Sequence, residues 1–480
     1  MTGLAAHHKL SHKKISGGTM ASSSAATIAA RLDRLPNAAP VRRLITLISL
    51  GGCFEFYDIF FTAYVGPGLV KGGIFAAHGT ALFGLTGLAS FVAALFAGMF
   101  VGTIAFTPLS DRFGRRSIFT FALLWYSIAT VVLAFQHDAL NVVIWRFIAS
   151  VGIGVEFVNS DAYVSELVPK DGRGRAFAYN QFIMFLAVPV VAFLSWLLVP
   201  TTIFGFDGWR VVVLIGATGA LFIWVIRLGL PESPRWLAQH GRVAEADRIM
   251  TDLEARTEAA TGSRLPPPQN VAGEAETVQG SWLEIWRAPY LNRTIILVIF
   301  NLFQTVGYYG FASWVPQFLI SQGIDVTRSL LFTFIIAIAN PIGPLLFLTI
   351  SDRYERRTQI ALAAICVAIF GLLFSQQGGA VGILIFGILV TLANNWMSFS
   401  FHAYQTELYP TRIRAQAVGF VYSWSRFSTI FTAFIIAFAL GRFGTTGVFV
   451  LIAACMAVVA VTIGWFGPRT TRLRLEAVNR

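Results

Sequence analysis

The chain has 480 residues, 56% hydrophobic and 12% charged, with 36 Lys and Arg against 24 Asp and Glu for a net charge of +12. Ordinary soluble domains carry about 25% charge, so a mean hydropathy of +0.67 excludes a water-soluble enzyme, and 43 Phe with 12 Trp exclude a disordered chain. The basic residues sit in short connectors between long apolar runs, which is the pattern of a membrane protein's cytoplasmic face and calls for no nucleic acid.

Residues 1–43 read as a cytoplasmic tail rich in His, Lys, Ser and Ala, without the apolar core of a cleaved signal, and Met20 offers a second start. Twelve apolar runs follow, at about 44–70, 83–107, 117–136, 141–164, 176–199, 210–230, 294–320, 329–350, 359–376, 380–404, 415–440 and 445–467. Each approaches the roughly 20 residues that a helix needs to cross a bilayer. They are continuous rather than alternating, so they read as helices and not barrel strands. The runs divide into six-helix bundles at 44–230 and 292–467, joined by a polar loop at 231–291 and followed by a tail at 468–480. Within the loop, 234–260 reads as an amphipathic helix on the cytoplasmic membrane surface, ended by Pro266-Pro267-Pro268. Arginines concentrate on one set of connectors, against Lys71, Arg210, Arg328 and Arg442 on the other, which puts both termini in the cytoplasm. Cys53, Cys366 and Cys455 lie inside apolar runs and read as packing residues.

Ionisable side chains inside such runs cost several kcal/mol, roughly 2.5–3.5 for Asp, Lys or Arg, and so should face a cavity and a partner. The first run carries Glu55 and Asp58, three apart and on one helical face. The fourth carries Arg146, then Glu156, Asn159 and Asp161; antiparallel to the first, it brings Arg146 to the level of Asp58. The fifth contributes Gln181, the seventh Asn301, Gln304 and Tyr308, the eighth Asn340, the tenth Asn394, Asn395 and His402, and the eleventh Arg426.

An internal repeat organises the chain. Asp111-Arg112-Phe113-Gly114-Arg115-Arg116 recurs as Asp352-Arg353-Tyr354-Glu355-Arg356-Arg357, 241 residues later. The Ala-Tyr-x-x-Glu-Leu-x-Pro-x-x-x-Arg pattern from Ala162, with Glu166 and Arg173, recurs from Ala403, with Glu407 and Arg414, again 241 residues later. The chain is a duplicated six-helix unit.

Twelve spans in two repeated halves, with Asp-Arg-x-Gly-Arg-Arg after the second, resemble the major facilitator superfamily over about residues 40–470. Arg146, Gly152, Gly154, Tyr163, Glu166, Pro169 and Arg173 look like the sugar-porter signature, and Pro231-Glu232-Ser233-Pro234-Arg235-Trp236-Leu237 matches the same branch. The run from Tyr404 to Arg412 is similar to the related metabolite–proton symporters. This chain departs from the hexose pattern: Phe303 precedes Gln304, Tyr309 stands in place of Asn, the second amide of span five is Val188, and Ser398-Phe399 and His402 replace the span-ten motif. Thr107 and Glu355 replace glycines of the cytoplasmic motif.

The resemblance implies that Asp58 carries a proton with Arg146 as counter-ion, and Glu55 stands beside them. Burial favours the protonated carboxyl and a neighbouring guanidinium the ionised one, so a change in their separation switches proton affinity. The alternative is a permanent ion pair that locks two spans. Glu156, Asn159, Asp161, Gln181, Gln304, Tyr308, Asn394, Asn395, His402 and Arg426 are the candidate solute ligands, and the two cations point to a carboxylate. Asp111, Arg112, Arg115, Arg116, Glu166 and Arg173, repeated as Asp352, Arg353, Arg356, Arg357, Glu407 and Arg414, are candidate cytoplasmic latches. No phosphate-binding loop, metal cluster or nucleophile triad is present, so the expected energy source is a proton gradient, without a cofactor. The expectation is a monomeric, multi-pass protein of the cell (inner or plasma) membrane, not an enzyme. It would import an organic acid with protons; a sugar or polyol symporter, an exporter and a solute receptor are the alternatives.

Overall fold

In a computed structural model of the chain, the structure describes residues 26–36, 38–76, 87–167, 173–227, 230–268, 281–348 and 354–470. It is helical apart from a two-stranded hairpin, Thr202–Ile203 with Phe206–Asp207. Helix α1 covers 26–33. The first half continues with α2 (Ala39–Tyr64), α3 (Gly66–Lys71), α4 (Leu88–Phe113), α5 (Arg115–Ala134), α6 (Ala139–Leu167), α7 (Arg173–Phe185), α8 (Ala187–Leu198) and α9 (Gly208–Arg227). The connecting segment forms α10 (Pro234–Gln239) and α11 (Val243–Thr261). The second half holds α12 (Tyr290–Ala312), α13 (Val315–Ser321), α14 (Val326–Ala337), α15 (Ala339–Leu348), α16 (Arg356–Ser375), α17 (Ala380–Glu407) and α18 (Thr411–Phe466).

Among the described residues nine helices are long and apolar enough to cross a membrane, and the last of them, Gln416–Phe466, is 51 residues long. That last helix is two run together across Gly444, whose φ of 66° and ψ of −171° interrupt the helical path. Ala139–Val155 and Gly208–Gly219 are shorter apolar helices.

Several expected spans are interrupted for one or two residues without being cut, with Leu186 and Ile338 still in helical geometry, and proline explains where. A proline inside a helix removes one hydrogen bond and clashes with the carbonyl four residues earlier. Pro189, Pro316 and Pro341 each follow by four the residue at which α7, α12 and α14 end. Pro67 likewise opens α3 just after α2 stops.

The halves meet along two seams, α4 against α18 and α7–α8 against α14–α15. Trp196 stacks on Phe334 across the second seam, with interplanar angle 1° and centroids 6.2 Å apart. Within the first half α4 and α6 pack backbone to backbone. A Cβ on Gly102 would lie 2.1 Å from the Val151 carbonyl oxygen, and one on Gly154 2.2 Å from that of Met99.

Two sequence expectations need correction. The segment 234–260 is two helices, α10 and α11, and its apolar face does not lie open to a membrane surface. Ile28 and Leu32 of α1 pack with Trp236, Leu237, Met250 and Leu253 in a second hydrophobic cluster. The tail expected at 1–43 therefore contains a docked helix, and α2 begins at Ala39. Arg31 of α1 and Arg34 in the turn after it both bind Glu254, at 2.8 and 2.6 Å, and Arg31 also binds Asp247. Arg235 completes the clamp on Asp33 at 2.8 Å.

Candidate functional site

Asp58 on α2 and Arg146 on α6 form a buried ion pair, Nη1 to Oδ2 at 2.7 Å, with side-chain exposures of 4% and 0%. Arg146 Nη2 also donates to the Asp58 carbonyl at 2.9 Å and to Thr62 Oγ1 at 2.6 Å. Its guanidinium lies 4.6 Å from the Phe61 ring centroid and 5.7 Å from that of Phe91, which provides a cation–π cradle. Nε has no acceptor among the described residues. Glu55, one turn before Asp58, is fully buried. Thr62 is a partner that the sequence reading missed, although its spacing of four from Asp58 places it on the same face.

Two small cavities lie between the halves. The first, about 40 Å³, is lined by Gln181, Gln304, Tyr308, Tyr309, His402 and Tyr422, with Phe56, Phe60, Phe185 and Phe401 among its apolar walls. The second, about 30 Å³, is bounded by Tyr64, Tyr308, Asn340, Thr391, Asn394 and Asn395. Phe60 from one half and Tyr308 from the other border both, so together they form the septum between them. Each chamber has room for about one water.

The structure thus gathers Gln181, Gln304, Tyr308, Asn394, Asn395 and His402 at these chambers. Asn395 Nδ2 donates to the Asn340 carbonyl at 3.3 Å and Asn394 Nδ2 to that of Gly307 at 3.5 Å. Both Oδ1 atoms are buried without a donor among the described residues, which leaves acceptors at the 30 Å³ chamber. His402 Nδ1 donates to the Ser398 carbonyl at 2.8 Å, leaving Nε2 as the acceptor.

Arg426 is displaced from its expected place. It is buried behind the 40 Å³ chamber, where Nη1 donates to Tyr309 Oη at 2.6 Å and Nη2 to Tyr422 Oη at 3.2 Å. The phenols, not the guanidinium, line the wall. Tyr422 was not foreseen, although it precedes Arg426 by one turn. The side chains of Glu156, Asn159 and Asp161 lie outside the described residues, and only their place on α6 is defined.

At the motif ends of the helices, Asp352 and Arg353 lie outside the described residues, as do the side chains of Asp111, Arg112, Arg115, Glu166, Arg173 and Arg414. Arg356 pairs with Glu407, Nε to Oε1 at 2.7 Å, linking α16 to α17 within one half. Arg357 donates to the Gly467 carbonyl at 2.9 Å. The Arg116 backbone N–H donates to the Glu232 carboxylate at 3.2 Å. Gly114 permits this contact: its φ is +98°, and a Cβ there would lie 2.5 Å from Glu232 Oε2. In the second copy Glu355 stands in its place and supplies the carboxylate itself, accepting from Thr470 N at 3.0 Å. Each half also ties its exit to its motif tyrosine. Tyr163 Oη donates to the Pro231 carbonyl, and Tyr404 Oη to that of Pro468 at 2.9 Å.

Two contacting helical halves, a buried ion pair and polar chambers between them define a multi-pass membrane transporter, not an enzyme. The chain matches the profile of the family described as "Sugar (and other) transporter" over residues 44–480, and it belongs to that family. It is similar to YyaJ of Bacillus subtilis, named for metabolite transport, with 31% identity over 92% of this chain and 95% of that protein. It is also similar to the niacin transporter NiaP of Acinetobacter baylyi, with 27% identity over 94% of this chain and 99% of that protein. Its fold is that of the xylose transporter XylE from E. coli in a partially occluded inward open conformation. The TM-score is 0.72, with 19% identity over 91% of this chain and 100% of the other.

Proposed function

We propose that the protein is a proton-coupled symporter that carries a small organic carboxylate across the inner or plasma membrane, as a monomer with twelve spans and both termini in the cytoplasm. The observation that carries this reading is the buried Asp58–Arg146 pair, which joins α2 to α6 within the first half. A carboxylate held by its guanidinium stays ionised; once the two are drawn apart in a dry site, it takes up a proton. Rocking of the halves about their two seams would expose the chambers to either side in turn. The charge motifs, including Arg356 with Glu407, brace helix ends within each half during that motion. Arg426 near the 40 Å³ chamber favours an anionic solute, and the niacin carried by one of the relatives is an instance of such a solute.

A sugar or polyol is the second reading, favoured by the half-satisfied amides of Asn394 and Asn395, which suit hydroxyl donors. Proteoliposomes with an imposed pH gradient test the coupling. Asp58→Asn should abolish gradient-driven accumulation and retain solute exchange. Accumulation that persists in Asp58→Asn removes Asp58 as the proton carrier.

A further inference from the structure

We propose that Tyr309 is the residue that recognises the carboxylate, and that the preferred solute is a flat aromatic monocarboxylate. The inference rests on reading the protein as a carboxylate carrier, and it begins with where Arg426 places its charge. Both guanidinium nitrogens donate to phenol oxygens, and the cation lies 5.6 Å from the Tyr309 ring centroid and 5.2 Å from that of Tyr422. A phenol oxygen that accepts from a guanidinium must send its own proton elsewhere. Tyr309 is part of the chamber wall, and on this proposal its proton points into the chamber. Hydrogen bonds in series polarise one another in a low dielectric, so this O–H is a stronger donor than an isolated phenol. An anion that accepts it also feels the buried charge behind it, and a neutral isostere does not.

The rest of the wall fits a ring. Phe56, Phe60, Phe185 and Phe401 offer faces and edges and no hydrogen-bonding groups, and Phe56 meets Phe185 edge-on at 4.9 Å. The chamber is closed down to about 40 Å³, so an entering ring must move the septum formed by Phe60 and Tyr308. Tyr309 also touches the other half: its ring meets Phe96 of α4 edge-on, with centroids 4.6 Å apart. A ligand seated on Tyr309 therefore reaches both bodies that rock. Arg426 is a positioning residue here, acting through the phenol.

The test is binding to the intact protein in nanodiscs, read by calorimetry, of benzoate and nicotinate against benzamide and nicotinamide. Wild type should prefer the acids. Tyr309→Phe should reduce that acid-over-amide preference roughly ten- to hundredfold, as expected for a hydrogen bond to a charged group. Arg426→Gln, which keeps the phenol and removes the charge, should reduce it similarly, and Arg426→Lys should restore part of it. A purely structural role for either residue would lower all four affinities together and leave the ratio unchanged. If wild type prefers the acids and both variants keep that preference, the assignment of Tyr309 is overturned and the carboxylate reading stands. If wild type shows no preference for the acids, the carboxylate reading falls, and Tyr309 falls with it.

Discussion

At Asp58 the cost of burying a charge is met by one neighbour that supplies both opposite charge and hydrogen bonds. Arg146 gives Asp58 two of its own donors and a third to Thr62, and two aromatic faces cover the guanidinium. Removing one member of such a pair strands the other. Arg146→Met should therefore destabilise the protein by about 3–5 kcal/mol, whereas Arg146→Met combined with Asp58→Leu should recover much of the loss. Thermal unfolding of the single and double variants checks this, and equal losses in both would mean that packing, not charge, governs the site. The pair was legible in the sequence because ionisable residues inside apolar runs are few and the antiparallel course of two spans aligns 58 with 146. The caging of Arg426 by Tyr309 and Tyr422 was not. It depends on which faces of α12 and α18 converge, and sequence spacing gives the Tyr422 contact alone. Glu355 was read as the loss of a glycine, yet its carboxylate accepts from Thr470 N and ties the motif to the segment after α18.

Among the elements, α1 most alters the picture drawn from composition. Eight helical residues, three of them Ala, do not stand out from a polar tail, and their apolar positions matter only once α10 and α11 present a matching face. The clamp centres on Glu254. Burial alone would raise its carboxyl, but the hydrogen bonds and charges of Arg31 and Arg34 outweigh it and hold the group below the usual glutamate range. A carboxylate depressed on folding contributes stability above its unfolded value, near 4.3 for Glu, and that stability is lost as pH falls through the lower folded value. At pH 7 the contribution is complete. Glu254→Gln should then speed hydrogen exchange in 26–35 at pH 7 while leaving α2 protected, and acidification below about pH 4 should do the same to wild type. Unchanged exchange in the variant would assign the docking to the apolar contacts of Ile28 and Leu32. The proline breaks were equally hidden: each proline is visible in the sequence, but whether a span kinks or stops depends on what replaces the lost hydrogen bond.

Across the whole molecule, the 241-residue offset announced two bodies, and the structure places their contact along two seams, α4 with α18 and α7–α8 with α14–α15. Each half is held by its own contacts at the motif ends of its helices, so the covalent link between Pro268 and Ser281 should be dispensable. Co-expressing 1–268 and 281–480 as separate chains should yield a complex that co-purifies and binds solute as the intact chain does. Recovery of only one half, or of both without association, would show that the link holds the bodies together.

The paired tyrosine tethers bear on how load passes through each half. Tyr163 fastens the end of the first half at the Pro231 carbonyl, and Tyr404 fastens the end of the second at that of Pro468. Each tether joins two segments of its own half, so a pull on the exit of that half reaches the motif helix through a hydrogen bond as well as through the chain. Whatever tugs on one end of a half is thereby felt at the helix that carries its motif tyrosine.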